Sequence, residues 1–124
     1  MRKILLVDDI EAELQLLNNY LTQGGYQVVT ALSGKEALEK VSQESFDVII
    51  TDWMMPGMGG LDLCRKLKKK SETAGIPVIA CTAKDGDVDK MWAKKQGISQ
   101  YVVKPCTQEE LVHTVSLRIE KTGN

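Results

Sequence analysis

The chain has 124 residues, of which 43% are hydrophobic and 27% are charged, and its formal net charge is −1. This size suits one globular domain with a single core. A net charge so close to zero argues against binding to nucleic acid or to anionic membranes. No stretch approaches the ~20 apolar residues of a membrane span, and acids follow the first apolar run too soon for a signal peptide. We therefore expect one cytoplasmic domain over residues 1–124.

Five short apolar runs alternate with segments of helical character. The runs cover residues 3–7, 26–31, 47–51, 77–81 and 100–104. Continuous runs of this length are typical of strands that are buried on both faces of a parallel sheet. The alternation therefore predicts β/α units.

The first two predicted helices carry recognisable end signals. Residues 10–23 place leucines on one face at spacings of three and four, and Gly24 and Gly25 follow where a helix would end. Ser33 and Glu36 have the spacing of a capping box at the start of the second helix.

The later helices are predicted over residues 60–69, over residues 86–95 and after Thr107. The first of these ends in the lysines 68–70, which we interpret as a solvated helix end that favours the helix dipole. Thr107 and Glu110 repeat the capping-box spacing before the last helix.

These elements predict an α/β fold, an open doubly wound sheet of five parallel strands with five helices. The strand order 2-1-3-4-5 is that of the common flavodoxin-like sheets and is adopted from them, because the element pattern does not determine it. Five strands are too few for an eight-stranded barrel. In such open sheets the ligand site lies beyond the carboxyl ends of the strands, where the strand order reverses.

Polar side chains stand at four of the predicted strand ends. Asp8 and Asp9 follow the first strand, Asp52 the third, Thr82 the fourth, and Lys104 ends the fifth. Each of these signals is weak alone, since lysine is usually a solvated surface charge and threonine an ordinary strand residue. Together, at one edge of a sheet, they predict a site.

Clustered carboxylates at this edge favour a divalent cation. Two unit charges ~4 Å apart repel by about 4 kcal/mol at an effective dielectric near 20. Mg²⁺ accepts oxygen ligands and commonly bridges one or two carboxylates to a phosphate. We expect Asp9 and Asp52 as direct ligands and Asp8 through water. Alternatively, Asp9 caps the first helix, but that leaves Asp8 and Asp52 unexplained.

Lys104 precedes Pro105. An X–Pro bond is the only common place for a cis peptide, which would aim the lysine back into the site. The lysine ammonium is a compact charge that suits a phosphoryl oxygen, and the Thr82 hydroxyl adds a neutral donor.

With these residues in view, the chain resembles the receiver domain of two-component response regulators, particularly single-domain receivers of the chemotaxis type. The matching blocks are "LLVDD", "DVIITDWMMPGMGG", "VIACTA" and "GISQYVVKP", and they cover nearly all of the chain. As a set these blocks, with their spacing, are highly specific.

The resemblance implies a phosphoacceptor role for Asp52, which would receive a phosphoryl group from a sensor histidine kinase or a phosphotransfer protein. It also implies Mg²⁺ held by Asp8, Asp9, Asp52 and the backbone carbonyl of Met54. Lys104 matches the lysine that contacts the phosphoryl group. The family is a phosphoacceptor switch and not a turnover enzyme on an external substrate.

The resemblance further implies a switch made by Thr82 and Tyr101. Phosphorylation would draw Thr82 toward the new oxygens, and Tyr101 would turn into the vacated space. The surface of the fourth helix, fifth strand and fifth helix would then signal to a downstream protein. A static tyrosine is the alternative for Tyr101. Neither nucleic acid nor membrane is an expected partner.

Two positions of the family that tune hydrolysis of the acyl phosphate carry Met54 and Lys84. A methionine offers no acid that could orient water, so slow loss of the phosphoryl group is expected. We also leave two interpretations open for Trp92: core packing with Val88 and Met91, or an anchor for a partner.

Three other interpretations compete with a phosphorylated switch. A phosphatase of the haloacid dehalogenase type would need an acid two residues after Asp52, where Met54 stands. A flavodoxin-like nucleotide carrier would need a phosphate-binding loop after the first strand, but acids stand there. A receiver that works unphosphorylated would not need the intact acceptor set. The chain could also be a receiver excised from a longer protein.

The three cysteines, Cys64, Cys81 and Cys106, are an odd number at spacings that form no metal-binding pattern with His113. We expect reduced structural thiols.

Overall fold

A five-stranded parallel sheet organises the chain, in the order β2-β1-β3-β4-β5. The structure, a computed structural model, describes the backbone of residues 2–122 and the side chains of residues 2–119. The strands are β1 (Lys3–Val7), β2 (Gln27–Ala31), β3 (Val48–Thr51), β4 (Val78–Thr82) and β5 (Gln100–Val103). The predicted fold class and strand order are thus confirmed. The ends of the predicted domain, at Met1, Gly123 and Asn124, lie outside the described residues.

The described residues form six helices, one more than the sequence predicts. They are α1 (Glu11–Gln23), α2 (Gly34–Gln43), α3 (Gly60–Lys69), α4 (Ser71–Ala74), α5 (Asp87–Lys95) and α6 (Gln108–Thr122). The added helix is α4, whose four residues are too few to show an apolar period. The fourth and fifth predicted helices are therefore α5 and α6.

Local hydrogen bonds hold the short helix α4 in place. The Thr73 hydroxyl donates to the carbonyl of Leu67 at 2.6 Å. The Lys68 ammonium donates to the carbonyls of Ala74 and Ile76 at 3.1 and 3.3 Å. The prediction of a solvated lysine run is therefore wrong for Lys68, which closes the connection from α3 to β4.

The two faces of the sheet are both covered, as the continuous apolar runs predict. On one face, Ile4 and Leu6 pack with buried leucines of α1 and α6. On the other, Leu5 and Val7 pack with buried residues of α2, α3 and α5. Successive strand residues point to opposite faces, so a strand that is buried on both faces must be apolar at every position.

The predicted capping signals are confirmed at two helix starts. The Ser33 hydroxyl accepts from the Glu36 amide at 3.1 Å at the start of α2. At α6, the Glu110 amide donates to the Thr107 hydroxyl, and the Thr107 amide donates to the Glu110 carboxylate. These reciprocal bonds satisfy amide groups that a helix start leaves unpaired.

The core interpretation of Trp92 is wrong. Val88, Met91 and Trp92 are 76%, 58% and 54% exposed, and Ala93 is the buried residue of α5. A helix that buries so narrow a stripe leaves its other apolar residues in solvent.

The three cysteines agree with the expectation of reduced thiols. Within the described residues all three are free, and Cys64 and Cys81 are buried, whereas Cys106 is only half-buried.

We expect Gly60→Ala to destabilise the fold by about 1–3 kcal/mol, the usual range for forcing an extra methyl group into a packed site. A Cβ at Gly60 would lie 2.6 Å from the Asp52 carbonyl oxygen and 2.7 Å from Cε3 of Trp53. A Cβ at Gly75 would meet no described atom within 4 Å, apart from its own neighbours, so Gly75→Ala is the control. Urea unfolding of both variants provides the measurement, and equal midpoints would contradict the expectation.

Candidate functional site

The polar residues predicted at the strand ends are brought together at the carboxyl edge of the sheet. Backbone hydrogen bonds extend the strand pairing one step beyond the strands themselves. The Asp52 amide donates to the Val7 carbonyl at 3.0 Å, and the Lys104 amide donates to the Thr82 carbonyl at 2.9 Å. These bonds fix the acid of β3 beside β1 and the lysine of β5 beside β4.

The Lys104 ammonium is the centre of the site. It donates to Oδ2 of Asp8 at 2.7 Å, to Oδ2 of Asp52 at 2.9 Å and to Oε1 of Glu13 at 2.8 Å. Its side chain is only 10% exposed, and the Lys104–Pro105 peptide bond is cis. The three donors of the ammonium are therefore matched by three carboxylates.

The pKa values of Lys104 and Asp8 reflect the sharing of one ammonium among three carboxylates. Burial alone would lower the pKa of Lys104, but the hydrogen bonds to Asp8, Glu13 and Asp52 outweigh it, and the pKa is raised. Burial raises the pKa of Asp8, and the hydrogen bond from Lys104 offsets it only in part. The Lys104 side chain is therefore positively charged. Because three carboxylates share this one charge, it does not fully offset the cost of burying the charged Asp8 carboxylate.

Three carboxylates form an acidic cluster here: Asp8, Asp9 and Asp52. One oxygen of each lies within 4.8 Å of the others. Oδ1 of Asp9 is buried without a hydrogen-bond partner in the part of the chain that the structure describes. Buried carboxylate oxygens are costly unless they meet a donor or a cation. The donor set and this orphaned oxygen therefore fit a hard divalent cation.

Asp9 does not act as the cap of α1. The N-cap residue is Ile10, and no side chain of the described residues bonds the helix start in the capping position. The amide of Ile10 donates instead to Oδ1 of Asp8 at 3.0 Å. The capping alternative for the acid pair is therefore wrong.

The carboxylate of Asp52 is held from two directions. The amide of Met54 donates to Oδ1 at 3.0 Å, and Lys104 donates to Oδ2. Asp52 is 6% exposed, whereas Met54 is 55% exposed beside it. The Asp52 carboxylate is thus held in one orientation and is almost entirely buried, next to an exposed Met54.

Thr82 and Tyr101 meet at the backbone of one residue, Lys84. The Lys84 amide donates to the Thr82 hydroxyl at 3.5 Å, a long bond, and the Tyr101 hydroxyl donates to the Lys84 carbonyl at 2.7 Å. Burial, followed by the charges of Asp89, Asp85 and Asp52, raises the pKa of Tyr101. The two predicted switch residues are therefore linked through the β4–α5 loop, residues 83–86.

Sequence reasoning missed Glu13 and the role of the Lys84 backbone. Glu13 lies in the first turn of α1, which begins shortly after the acid pair. Its contact with Lys104, 91 residues away in the chain, leaves no signal in the sequence.

The fold and the site together define a receiver domain. The family described as "Response regulator receiver domain" matches residues 4–116, so the chain belongs to this family, which acts in two-component signalling. No helix among residues 2–122 is long and apolar enough to cross a membrane.

Relatives with known names agree with this assignment. Protein PilH of Pseudomonas aeruginosa is 40% identical over 116 residues, which cover 94% of this chain and 96% of PilH. Response regulator PleD of Caulobacter vibrioides is 45% identical over 103 residues, but the match spans only 23% of PleD. The solved structure of chemotaxis protein CheY4 of Vibrio cholerae superposes with a TM-score of 0.90 at 34% identity, and covers 94% of this chain and 98% of that one.

Proposed function

We propose that the chain is a phosphoacceptor switch whose Asp52 receives a phosphoryl group from a sensor histidine kinase or a phosphotransfer protein. The observation that carries this proposal is the Lys104 ammonium, 2.9 Å from Oδ2 of Asp52 and directly beside the acidic cluster. A carboxylate, a fixed cation and a place for a metal are what phosphoryl transfer to an aspartate requires.

The acidic cluster is the proposed site for Mg²⁺. Asp8, Asp9 and Asp52 would hold it, with the Met54 carbonyl as a further ligand. The orphaned Oδ1 of Asp9 supports this assignment. When bound, Mg²⁺ supplies positive charge that offsets the charge of the transferring phosphoryl oxygens.

The chain's own residues supply the nucleophile, the donors to the phosphoryl oxygens and the group that orients the nucleophile. A carboxylate oxygen of Asp52 attacks phosphorus, so that a P–O bond forms as the P–N bond to the donor histidine breaks. The Lys104 ammonium and the Thr82 hydroxyl donate to phosphoryl oxygens, and the Met54 amide keeps the attacking carboxylate in orientation. Each domain accepts one phosphoryl group on its own Asp52 side chain, as a switch does, and does not turn over an external substrate.

The long contact between Thr82 and the Lys84 amide suggests how the signal leaves the site. When the Thr82 hydroxyl turns to a phosphoryl oxygen, it loses its bond with the Lys84 amide. Of the two contacts to the β4–α5 loop, only the one from Tyr101 to the Lys84 carbonyl then remains. The surface of α5, β5 and α6 shifts in response. We propose a cytoplasmic target protein, and neither nucleic acid nor membrane, as its partner, with the exposed Trp92 as an anchor.

Intact mass spectrometry tests the proposal. Wild-type protein incubated with Mg²⁺ and a small phosphodonor, such as acetyl phosphate, should gain the mass of one phosphoryl group. The same incubation with excess EDTA should leave the mass unchanged, because the acidic cluster then lacks its cation. An unmodified protein in Mg²⁺, or equal modification in EDTA, would contradict the proposed function.

We expect Met54→Asn to shorten the lifetime of the acyl phosphate roughly three- to tenfold. An asparagine amide can orient a water molecule toward the phosphoryl group, whereas the Met54 thioether offers at most a weak acceptor. The measurement is the decay of the phosphorylated mass after the donor is removed. Val88→Asn, on the exposed face of α5, is the control and should leave the lifetime unchanged. An unchanged or longer lifetime in Met54→Asn would count against the expectation.

A further inference from the structure

Glu13 is the one carboxylate on Lys104 that lies outside the acidic cluster. Its Oε1 accepts from the ammonium at 2.8 Å, as closely as the two aspartates do. The side chains of Asp8 and Asp52 are 1% and 8% exposed, but that of Glu13 is 36% exposed. Lys104 is therefore held between a buried pair of acids and a third acid at the rim.

The buried pair has no oxygen that is without a hydrogen bond. Oδ1 of Asp8 accepts from the Ile10 amide, and Oδ1 of Asp52 accepts from the Met54 amide. Both Oδ2 atoms accept from Lys104. A divalent cation held by these carboxylates would sit beside the ammonium, and the two cations would repel each other. The ammonium must then loosen its hold on the acidic cluster.

We propose that Glu13 is a positioning residue that keeps the Lys104 ammonium at the rim of the acidic cluster when a divalent cation occupies it. The inference rests on the proposed function, because it concerns the same Mg²⁺ and the same lysine. Lys104 can release Asp8 without becoming unpaired, since its bond to Glu13 remains. It also stays within reach of the oxygens of a phosphoryl group on Asp52.

If Glu13 formed only an ordinary surface ion pair, removing its charge would change the Mg²⁺ affinity no more than removing another charge from the same helix start. A carboxylate in the first turn of a helix interacts favourably with the helix dipole in any case, and an exposed pair contributes little. Glu11 lies in the same first turn of α1 and is exposed. Glu11→Gln therefore removes the same charge from the same helix start, without touching Lys104, and is the matched control for Glu13→Gln.

The first test is the Mg²⁺ affinity, read from the fluorescence of Trp53 with Trp92→Phe in every variant. Glu13→Gln should raise the Kd roughly two- to fivefold above that of Glu11→Gln, the upper part of the range measured for solvent-accessible ion pairs. In a Lys104→Met background the two glutamine variants should have equal affinities. Equal affinities with Lys104 present, or an excess that survives without it, would overturn the inference.

The second test reads the ammonium itself and needs no Lys104 variant. In ¹⁵N spectra of lysine ammonium groups, the Lys104 signal should persist in wild type both with and without Mg²⁺. In Glu13→Gln it should persist without Mg²⁺, because Asp8 and Asp52 remain, and broaden by exchange with water when Mg²⁺ is added. A signal that persists in Glu13→Gln with Mg²⁺ would overturn the inference.

The outcomes separate this inference from the function on which it rests. Wild-type protein that binds Mg²⁺ and becomes phosphorylated, with Glu13→Gln behaving as Glu11→Gln, removes only the role of Glu13. Wild-type protein that binds no Mg²⁺ removes both.

Discussion

Asp52→Asn should gain no phosphoryl group from acetyl phosphate and Mg²⁺ under conditions in which the wild type gains one, a loss of roughly hundredfold or more in rate. The amide oxygen of asparagine is a far weaker nucleophile than a carboxylate, so the acyl phosphate does not form. The side chain keeps its size, and its oxygen can still accept from the Met54 amide. Intact mass spectrometry over a time course measures the effect.

Asp62→Asn is the control for this change in charge. Asp62 is exposed in the first turn of α3, away from the Lys104 contacts, and its variant should be phosphorylated as the wild type is. Asp52→Asn should also remain folded without metal, because Lys104 keeps Asp8 and Glu13 and one buried negative charge is gone. A phosphoryl adduct on Asp52→Asn would show that another residue accepts the group, and would remove the proposed role of Asp52.

The fold could be predicted because its three central strands, β1, β3 and β4, are buried on both faces. A strand such as β1 has no polar position between Ile4 and Val7, and a run of that kind has few other structural solutions. Helix α4 escaped prediction because local side-chain hydrogen bonds from Thr73 and Lys68 define it, rather than an apolar period of its own. Trp92 was ambiguous for a related reason, since a short amphipathic stretch does not reveal how wide its buried stripe is.

The site could be predicted as far as chain topology carries it. Parallel strands bring their carboxyl ends to one edge, so Asp8, Asp52 and Lys104 must meet once the strand order is right. The contact from Glu13 depends on how α1 is tilted over that edge, and the contact at Lys84 uses backbone atoms, which every residue has. Neither contact could therefore be recognised from the residue types in the sequence.

Lys104→Met should lower the free energy of unfolding of the metal-free protein by about 3 kcal/mol, the lower end of the cost of removing one partner from a buried ion pair. Methionine fills the same space without charge. The variant leaves Asp8 and Asp52, both largely buried, to repel each other with no cation between them. Urea unfolding in EDTA measures the loss.

Mg²⁺ distinguishes lost charge compensation from lost packing. A ligand that binds only the folded state stabilises it by about 2.7 kcal/mol at a hundredfold excess over its Kd. Because no ammonium competes for Oδ2 of Asp8 in Lys104→Met, saturating Mg²⁺ should stabilise this variant more than it stabilises the wild type. Lys94→Met, at an exposed position of α5, is the control and should differ from the wild type by no more than ~0.5 kcal/mol in either condition. If Lys104→Met is as stable as wild type in EDTA, or gains no more from Mg²⁺, then Lys104 is not what balances the charge of the acidic cluster.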